Sequence, residues 1–164
     1  MNTVAQGLFL CLTAAAIYLL FFTSPKKTAN HLSRGWGDEI DWVPTYEEGL
    51  AKSKSNKKPL MVIQHLLDCP YSKGLKEKFA ANAEIQKIAK EHFVMLNLIH
   101  ETTDNNLAPD GYYVPRIIFI DPSLTVRNDL VGKHPIYKYT YTNEDILLIL
   151  ENMQNARTML YTEL

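Results

Sequence analysis

Cysteine is scarce in this chain of 164 residues, and the two that occur, Cys11 and Cys69, stand far apart. Neither a Cys-x-x-Cys nor a His-x-x-x-His pair is present, so the sequence predicts no metal site, and no motif requires a cofactor. Long blocks of like charge are also missing, because 17 basic and 18 acidic residues are interspersed and leave a net charge of −1. A nucleic-acid partner is therefore not expected, since binding to phosphates needs clustered lysine and arginine.

Charged side chains are absent from residues 1–24, in which residues 8–22 form an apolar run interrupted at Thr13. The run is shorter than the about 20 apolar residues that cross a bilayer, which favours a secretory signal peptide over a membrane-spanning helix. We therefore predict a signal peptide over 1–24, with an uncleaved anchor as the alternative. The polar, aperiodic residues 25–36 then predict a flexible arm.

Removal of the signal peptide would leave Cys69 as the only thiol of the mature chain. Secreted domains normally pair their cysteines, so a lone thiol in that compartment is inert and buried, pairs between chains, or reacts.

The pattern of apolar residues and turn signals predicts one α/β domain with a mixed central sheet flanked by helices. We predict a helix from Thr45 to about Ser55, a strand over 60–63, and a long helix from Pro70 with a break at 81–83. After these come a strand over 93–98, a loop over 100–113, a hairpin of strands 117–120 and 125–130, and a helix from Asn143. Strands joined through a helix imply parallel pairing, and the hairpin adds an antiparallel pair.

Cys69 follows a predicted buried strand and opens a helix in the segment Cys69-Pro70-Tyr71-Ser72. At a helix start the free backbone N–H groups and the dipole favour negative charge, which lowers the pKa of a thiol. Ser72 lies where a redox dithiol has its second cysteine; its hydroxyl can hydrogen-bond the sulfur but cannot resolve a mixed disulfide. We interpret Cys69 as an exchange-competent thiol, the alternative being a small buried apolar residue that happens to begin a helix.

This strand–Cys-Pro-x-x–helix arrangement resembles the thioredoxin active site. Val114-Pro115, just before the strand at Ile117, resembles the cis-proline element of that fold. The resemblance implies that Pro115 is cis and faces Cys69, while the backbone of Val114 receives an extended substrate. Pro70 and Tyr71 complete the substrate-binding residues that it implies.

Longer segments resemble the anterior gradient proteins, a branch of the protein disulfide isomerases; they are residues 32–38, 45–48, 97–104, 113–116 and 121–127. This resemblance implies one thioredoxin-like domain over 37–164, with Cys69 as the reactive cysteine and Ser72 as its serine. It also implies a homodimer with Glu48 and Lys52 in salt bridges across the interface. From the sequence alone the same pair fits an exposed i,i+4 bridge within one helix.

The last four residues, Tyr161, Thr162, Glu163 and Leu164, resemble the Lys-Asp-Glu-Leu type of retention signal. Tyr161 replaces the usual basic residue, so we predict leaky retention, with protein both in the lumen of the endoplasmic reticulum and secreted.

Together with the resemblance, these features imply a mono-thiol member of the protein disulfide isomerase family that captures client secretory proteins with free cysteines through mixed disulfides and assists their folding; mucin-like clients are implied by the resemblance alone. Its enzymatic capacity would be isomerase-like thiol–disulfide exchange at most, because a dithiol cycle needs a second cysteine. The alternative hypothesis is a secreted ligand in development and regeneration that binds a cell-surface receptor, with the thiol dispensable. A third is that Cys69 links two copies of the chain by a disulfide.

Overall fold

Four strands form one sheet in the order β1-β3-β2-β4. The strands are β1 (Trp42–Val43), β2 (Leu60–Gln64), β3 (Val94–Leu98) and β4 (Arg116–Ile120). β3 runs parallel to both β1 and β2, whereas β4 is antiparallel to β2, so the predicted mixed sheet is confirmed. This computed structural model describes residues 30–99, 102 and 104–158; the predicted signal peptide and retention signal lie outside them.

Within the described ranges, four α-helices surround the sheet: α1 (Tyr46–Asn56), α2 (Pro70–Ala81), α3 (Ala83–His92) and α4 (Ile146–Thr158). The Thr45 side chain caps α1 by accepting a hydrogen bond from the Glu48 N–H at 3.2 Å, as the sequence predicts. The predicted break at 81–83 is confirmed, because Asn82 ends α2 and caps α3 with its side-chain oxygen on the Ile85 N–H. None of the helices in the described ranges has the length and apolar character needed to cross a bilayer.

Both faces of the sheet are buried, which explains why its strands are continuous apolar runs rather than alternating ones. Ile117 and Phe119 of β4 point into a cluster covered by α2, α3 and α4, while Ile118 and Ile120 point into a second cluster. The second cluster includes Leu60 and Val43, against which Gly49 of α1 packs. α1 therefore covers the face opposite to the other three helices.

The predicted hairpin after β4 is only partly formed. Leu124 closes the turn at a φ of 71°, and pairing then consists of one isolated bridge between Ile120 and Val126. A strand over 125–130 is therefore wrong: the chain turns into the core, where Leu130 is buried.

Two boundaries also move. Asp145 accepts hydrogen bonds from the N–H and hydroxyl of Thr142 at 2.9 and 2.8 Å, so the turn at 142–145 precedes α4 and the helix begins at Ile146 rather than Asn143. Residues 30–36 of the predicted arm pack on the domain, with Ser33 and Trp36 buried. The folded part thus extends at least to Asn30.

Candidate active site

Cys69 is the N-cap residue of α2 and is partly exposed. Its carbonyl accepts the first helical hydrogen bond, from Lys73 N–H at 3.0 Å, while Pro70 occupies the first helical position, where its missing N–H leaves nothing unpaired. The sequence builds this start locally, because the proline ring fixes φ in the helical range and suits the first position of a helix. The sulfur is thereby placed at the N-terminus of α2, as predicted.

The pKa of Cys69 lies below its ordinary value. Partial burial raises it, but hydrogen bonding from the Ser72 hydroxyl and from the backbone N–H groups of Ser72 and Tyr71 outweighs that effect. The Ser72 hydroxyl is buried and is committed to no other group among the described residues. Its proton can therefore turn toward the sulfur and stabilise a thiolate.

The cis-proline element lies at the same end of the sheet as Cys69. Gln64, the last residue of β2, is paired with Arg116, the first residue of β4. The chain leaves β2 toward Cys69 and enters β4 from Pro115, so both segments emerge side by side. The Val114–Pro115 peptide bond is cis, as the resemblance to thioredoxin implied.

Several apolar side chains are exposed in the segments at this end of the sheet. Tyr71 in the first turn of α2 is 75% exposed and Leu67, just before the cysteine, is 57% exposed. Tyr112, which precedes the cis-proline element, is also exposed, and Val114 is half-buried. Large apolar side chains are thus exposed both in the segment around Cys69 and in the segment before the cis-proline.

Arg116 is buried beside Pro115, a feature that the sequence analysis did not predict. Its guanidinium donates to the carbonyl oxygens of Leu107, at 2.6 Å, and Gly111. It also lies 4.1 Å above the ring of Tyr113 and 3.7 Å from a carboxylate oxygen of Asp110. The available signal was an arginine in the otherwise apolar run Arg-Ile-Ile-Phe-Ile.

A second set of bonds joins this cluster to the chain beyond β4. The hydroxyl of Tyr113 donates to Asp110 and accepts from the N–H of Tyr139 at 3.0 Å. Asp110 also accepts from the N–H of Lys138 at 2.7 Å, and the Thr140 hydroxyl donates to the carbonyl of Pro115 at 3.0 Å. Burial and the hydrogen bond to Asp110 raise the pKa of Tyr113, so its hydroxyl stays protonated.

His65 directly follows β2, four residues before Cys69, and is buried. Its Nε2 donates to the Asn97 side-chain oxygen at 2.8 Å, because the Asn97 amide nitrogen is committed to the Ser33 carbonyl, also at 2.8 Å. Arg34 donates to the Asn97 carbonyl at 2.6 Å, and Trp36 packs on the imidazole at a centroid distance of 5.3 Å. These contacts hold residues 33–36 against His65 and Asn97.

Burial lowers the pKa of His65, and the positive charges of Lys76 and Arg34 add to that effect. The hydrogen bond with Asn97 opposes it without cancelling it. His65 is therefore neutral at pH 7.

Glu48 and Lys52, which the resemblance placed at a dimer interface, are both exposed on α1. No ion pair joins them within the part of the chain that the structure describes. Both lie on the helix that covers the face of the sheet opposite to α2, the helix that Cys69 begins.

No cluster of three or more histidine, cysteine or acidic side chains suited to a metal ion occurs within residues 30–99, 102 and 104–158.

Comparison with known proteins adds two findings. A family model described as thioredoxin-like matches residues 41–122, which include Cys69 and Pro115. Human anterior gradient protein 3 is 53% identical over 161 residues, covering 98% of this chain and 97% of that protein.

Two further relatives are similarly close. Anterior gradient protein 1 of Xenopus tropicalis is 59% identical over 133 residues, covering 81% of this chain and 71% of that protein. The anterior gradient protein 2 homolog of Pongo abelii is 49% identical over 176 residues, covering all of both chains.

Proposed function

This chain belongs to the anterior gradient family of thioredoxin-like proteins, a group of thiol proteins of the protein disulfide isomerase family, and we propose that it captures secretory client proteins through mixed disulfides at Cys69. One observation carries the proposal: a partly exposed thiol of lowered pKa begins α2, and a buried serine occupies the position three residues later. A thiol so placed can attack, but the protein has no partner thiol there to expel what it has captured.

The proposed capture step is a thiol–disulfide exchange. The Cys69 thiolate attacks one sulfur of a client disulfide, or of a client cysteine that carries glutathione; the old S–S bond breaks as the new one forms. The departing sulfur leaves as a thiolate and takes a proton from water. A client with a free cysteine therefore reacts only after it has acquired such a disulfide. Release needs a second thiolate, from the client itself or from glutathione, to attack the mixed disulfide.

The proposed surroundings of this chemistry follow the family. We propose that the protein works in the lumen of the endoplasmic reticulum and is partly secreted, in keeping with the atypical Tyr161 of the terminal segment. We also propose a homodimer in which Glu48 of one copy meets Lys52 of the other. Their exposure on α1, away from the thiol, supports an arrangement that leaves both Cys69 residues accessible.

The test is a trapping experiment read by non-reducing electrophoresis of cell lysates. Wild-type protein should form adducts that disappear on reduction and are absent from Cys69→Ser. Ser72→Cys should greatly reduce the steady-state adducts, because the new thiol can attack the mixed disulfide. Ser55→Cys is the matched control, since it adds an exposed thiol on the opposite face; it should leave the Cys69 adducts in place.

Adducts that persist unchanged in Cys69→Ser would contradict the proposal. A biological response to added protein that Cys69→Ser retains in full would instead favour the receptor-ligand alternative.

A further inference from the structure

We propose that Arg116 is a positioning residue for client capture: its buried guanidinium fixes the loop that ends in Val114 and Pro115, and through that loop the backbone to which a client segment binds. The inference rests on the proposed function and adds to it a residue that neither contacts the sulfur nor reacts.

The cost of burying Arg116 is the first reason to look for such a role. Only 1% of this residue is exposed, and it starts a strand whose other four residues are apolar. Removing a guanidinium from water is unfavourable unless its donors are paired, and a similarly sized apolar residue often serves stability as well or better. An arginine at this position is therefore explained by what its planar, forked donors hold.

The donors hold a segment that lacks regular pairing of its own. Between the 3-10 helix (Asn105–Leu107) and β4, residues 108–115 belong to neither helix nor strand. Arg116 ties this segment at the Leu107 carbonyl, at the Gly111 carbonyl and at the face of the Tyr113 ring. One side chain thus replaces the ladder of backbone bonds that would otherwise fix the loop.

Asp110 and Tyr113 connect this loop to residues 138–140, which follow β4 in the sequence. Asp110 lies 3.7 Å from the guanidinium and accepts from Lys138 N–H, while Tyr113 accepts from Tyr139 N–H. The segment so attached continues to Thr140, whose hydroxyl donates to the carbonyl of Pro115. Pro115 is therefore restrained from both sides, by its own loop and by the chain beyond β4.

The thiol is held independently of this cluster. The groups that lower the pKa of Cys69 come from Ser72 and Tyr71 in α2, and none comes from Arg116 or its partners. Loss of Arg116 should consequently leave the thiolate intact while the opposing backbone moves. Since a misplacement of about 1 Å can cost as much as 100-fold in rate, even a modest shift of the loop should be measurable.

The experiment compares two reagents on the same thiol. Iodoacetamide is small and needs no docking, whereas an extended peptide whose cysteine forms a disulfide with glutathione must lie along the backbone at Val114. For Arg116→Lys, which keeps the charge but loses the fork, we expect the iodoacetamide rate to stay within about twofold and the peptide rate to fall about tenfold. Arg157→Lys, the same change on α4, should alter neither rate.

Tyr113→Phe is a milder second variant, because it keeps the ring under the guanidinium and removes only the hydroxyl that joins Asp110 to Tyr139. It should lower the peptide rate by a smaller factor without changing the iodoacetamide rate. Circular dichroism of each variant establishes that the protein is folded during the measurement.

Equal losses with both reagents would overturn the inference, because they would indicate a general structural role. Unchanged peptide rates in both variants would overturn it too. A wild-type protein that reacts with iodoacetamide but with no peptide disulfide would instead contradict the proposed function itself, an outcome visible before any variant is made.

Discussion

Gln64 and Arg116 are paired across the antiparallel β2–β4 ladder, and both side chains donate to the same carbonyl oxygen, that of Leu107, at 3.1 and 2.6 Å. The end of the sheet nearest the thiol is thereby joined to the loop that carries Tyr113 and Pro115. A backbone carbonyl has two lone pairs, so the two donors complement each other rather than compete.

Gln64→Met should lower the free energy of unfolding by about 1 kcal/mol, the net contribution of one buried hydrogen bond, because Arg116 still satisfies the Leu107 carbonyl. Urea denaturation measures the change. Gln154→Met, which removes a partly exposed glutamine bonded to Glu84, should stay within about 0.5 kcal/mol of wild type. Equal losses in the two variants would contradict the special role of the shared carbonyl.

Ser72→Ala should shift the pH dependence of Cys69 alkylation to higher pH. The hydroxyl and the backbone N–H groups lower the pKa of the thiol against the effect of burial, so removal of the hydroxyl leaves less thiolate at neutral pH. Rates of iodoacetamide alkylation between pH 5 and 10 give the profile. Ser55→Ala, on α1, is the control and should reproduce the wild-type profile; a Ser72→Ala profile that coincides with it would refute the assigned cause.

Acidification should destabilise the protein through His65. Burial lowers its folded-state pKa below the unfolded value of about 6.5, so the unfolded chain binds more protons. The contribution of neutral His65 to stability is fully present above about pH 6.5 and is lost as the pH falls toward the folded-state pKa. Thermal unfolding at pH 7.5 and 5.5 should show a smaller pH-dependent loss for His65→Gln than for wild type, and an unchanged loss for the exposed control His31→Gln.

Alanine substitutions at two glycines should change the free energy of unfolding in opposite directions. A Cβ on Gly132 would meet the carbonyl oxygen of Thr140 far inside van der Waals contact, so Gly132→Ala should cost roughly 1–3 kcal/mol. Gly74 in α2 has only ordinary contacts, to Asn143, and Gly74→Ala should stabilise the helix by about 0.5–1 kcal/mol. Thermal unfolding of both variants checks the pair; two changes of the same sign would mean that local space does not decide the outcome.

The proposed dimer can be tested by exchanging charges. Glu48→Lys should weaken self-association, because it places like charges opposite each other at the interface. Adding Lys52→Glu should restore it, since the exchanged charges pair again across the two copies. Sedimentation measures the monomer–dimer equilibrium, and Glu47→Lys, one residue away on α1, serves as control. A double variant that stays as weak as Glu48→Lys would exclude this pairing.

Local signals predicted most of the fold. Thr45 and Asn82 act as caps because their short side chains reach the N–H groups of the following turn, and Pro70 marks the start of α2 for an equally local reason. The apolar run at 60–63 became the centre of the sheet. Such features depend on residues within one helical turn or one strand of each other, so the sequence displays them directly.

The parts that were missed depend on distant partners. The role of Arg116 exists only because the carbonyls of Leu107 and Gly111 converge on it, and no pattern within the strand predicts that convergence. Likewise, Trp36 follows a polar stretch and is buried only because Phe79 and His65 form its pocket from other elements. The hairpin failed for the same reason, since burial of Leu130 took precedence over continued pairing beside β4.

The two edge strands of the sheet, β1 and β4, leave few free backbone groups for pairing with an incoming strand. β1 pairs over only two residues, Trp42 and Val43, and the outer side of β4 is occupied at both ends by bridges to Thr140 and Val126. Long, open edge strands are the templates on which unfolded chains stack into aggregates. A protein that holds unfolded clients by a single sulfur would bring such chains close at high local concentration, and short or partly covered edges leave them little backbone on which to stack.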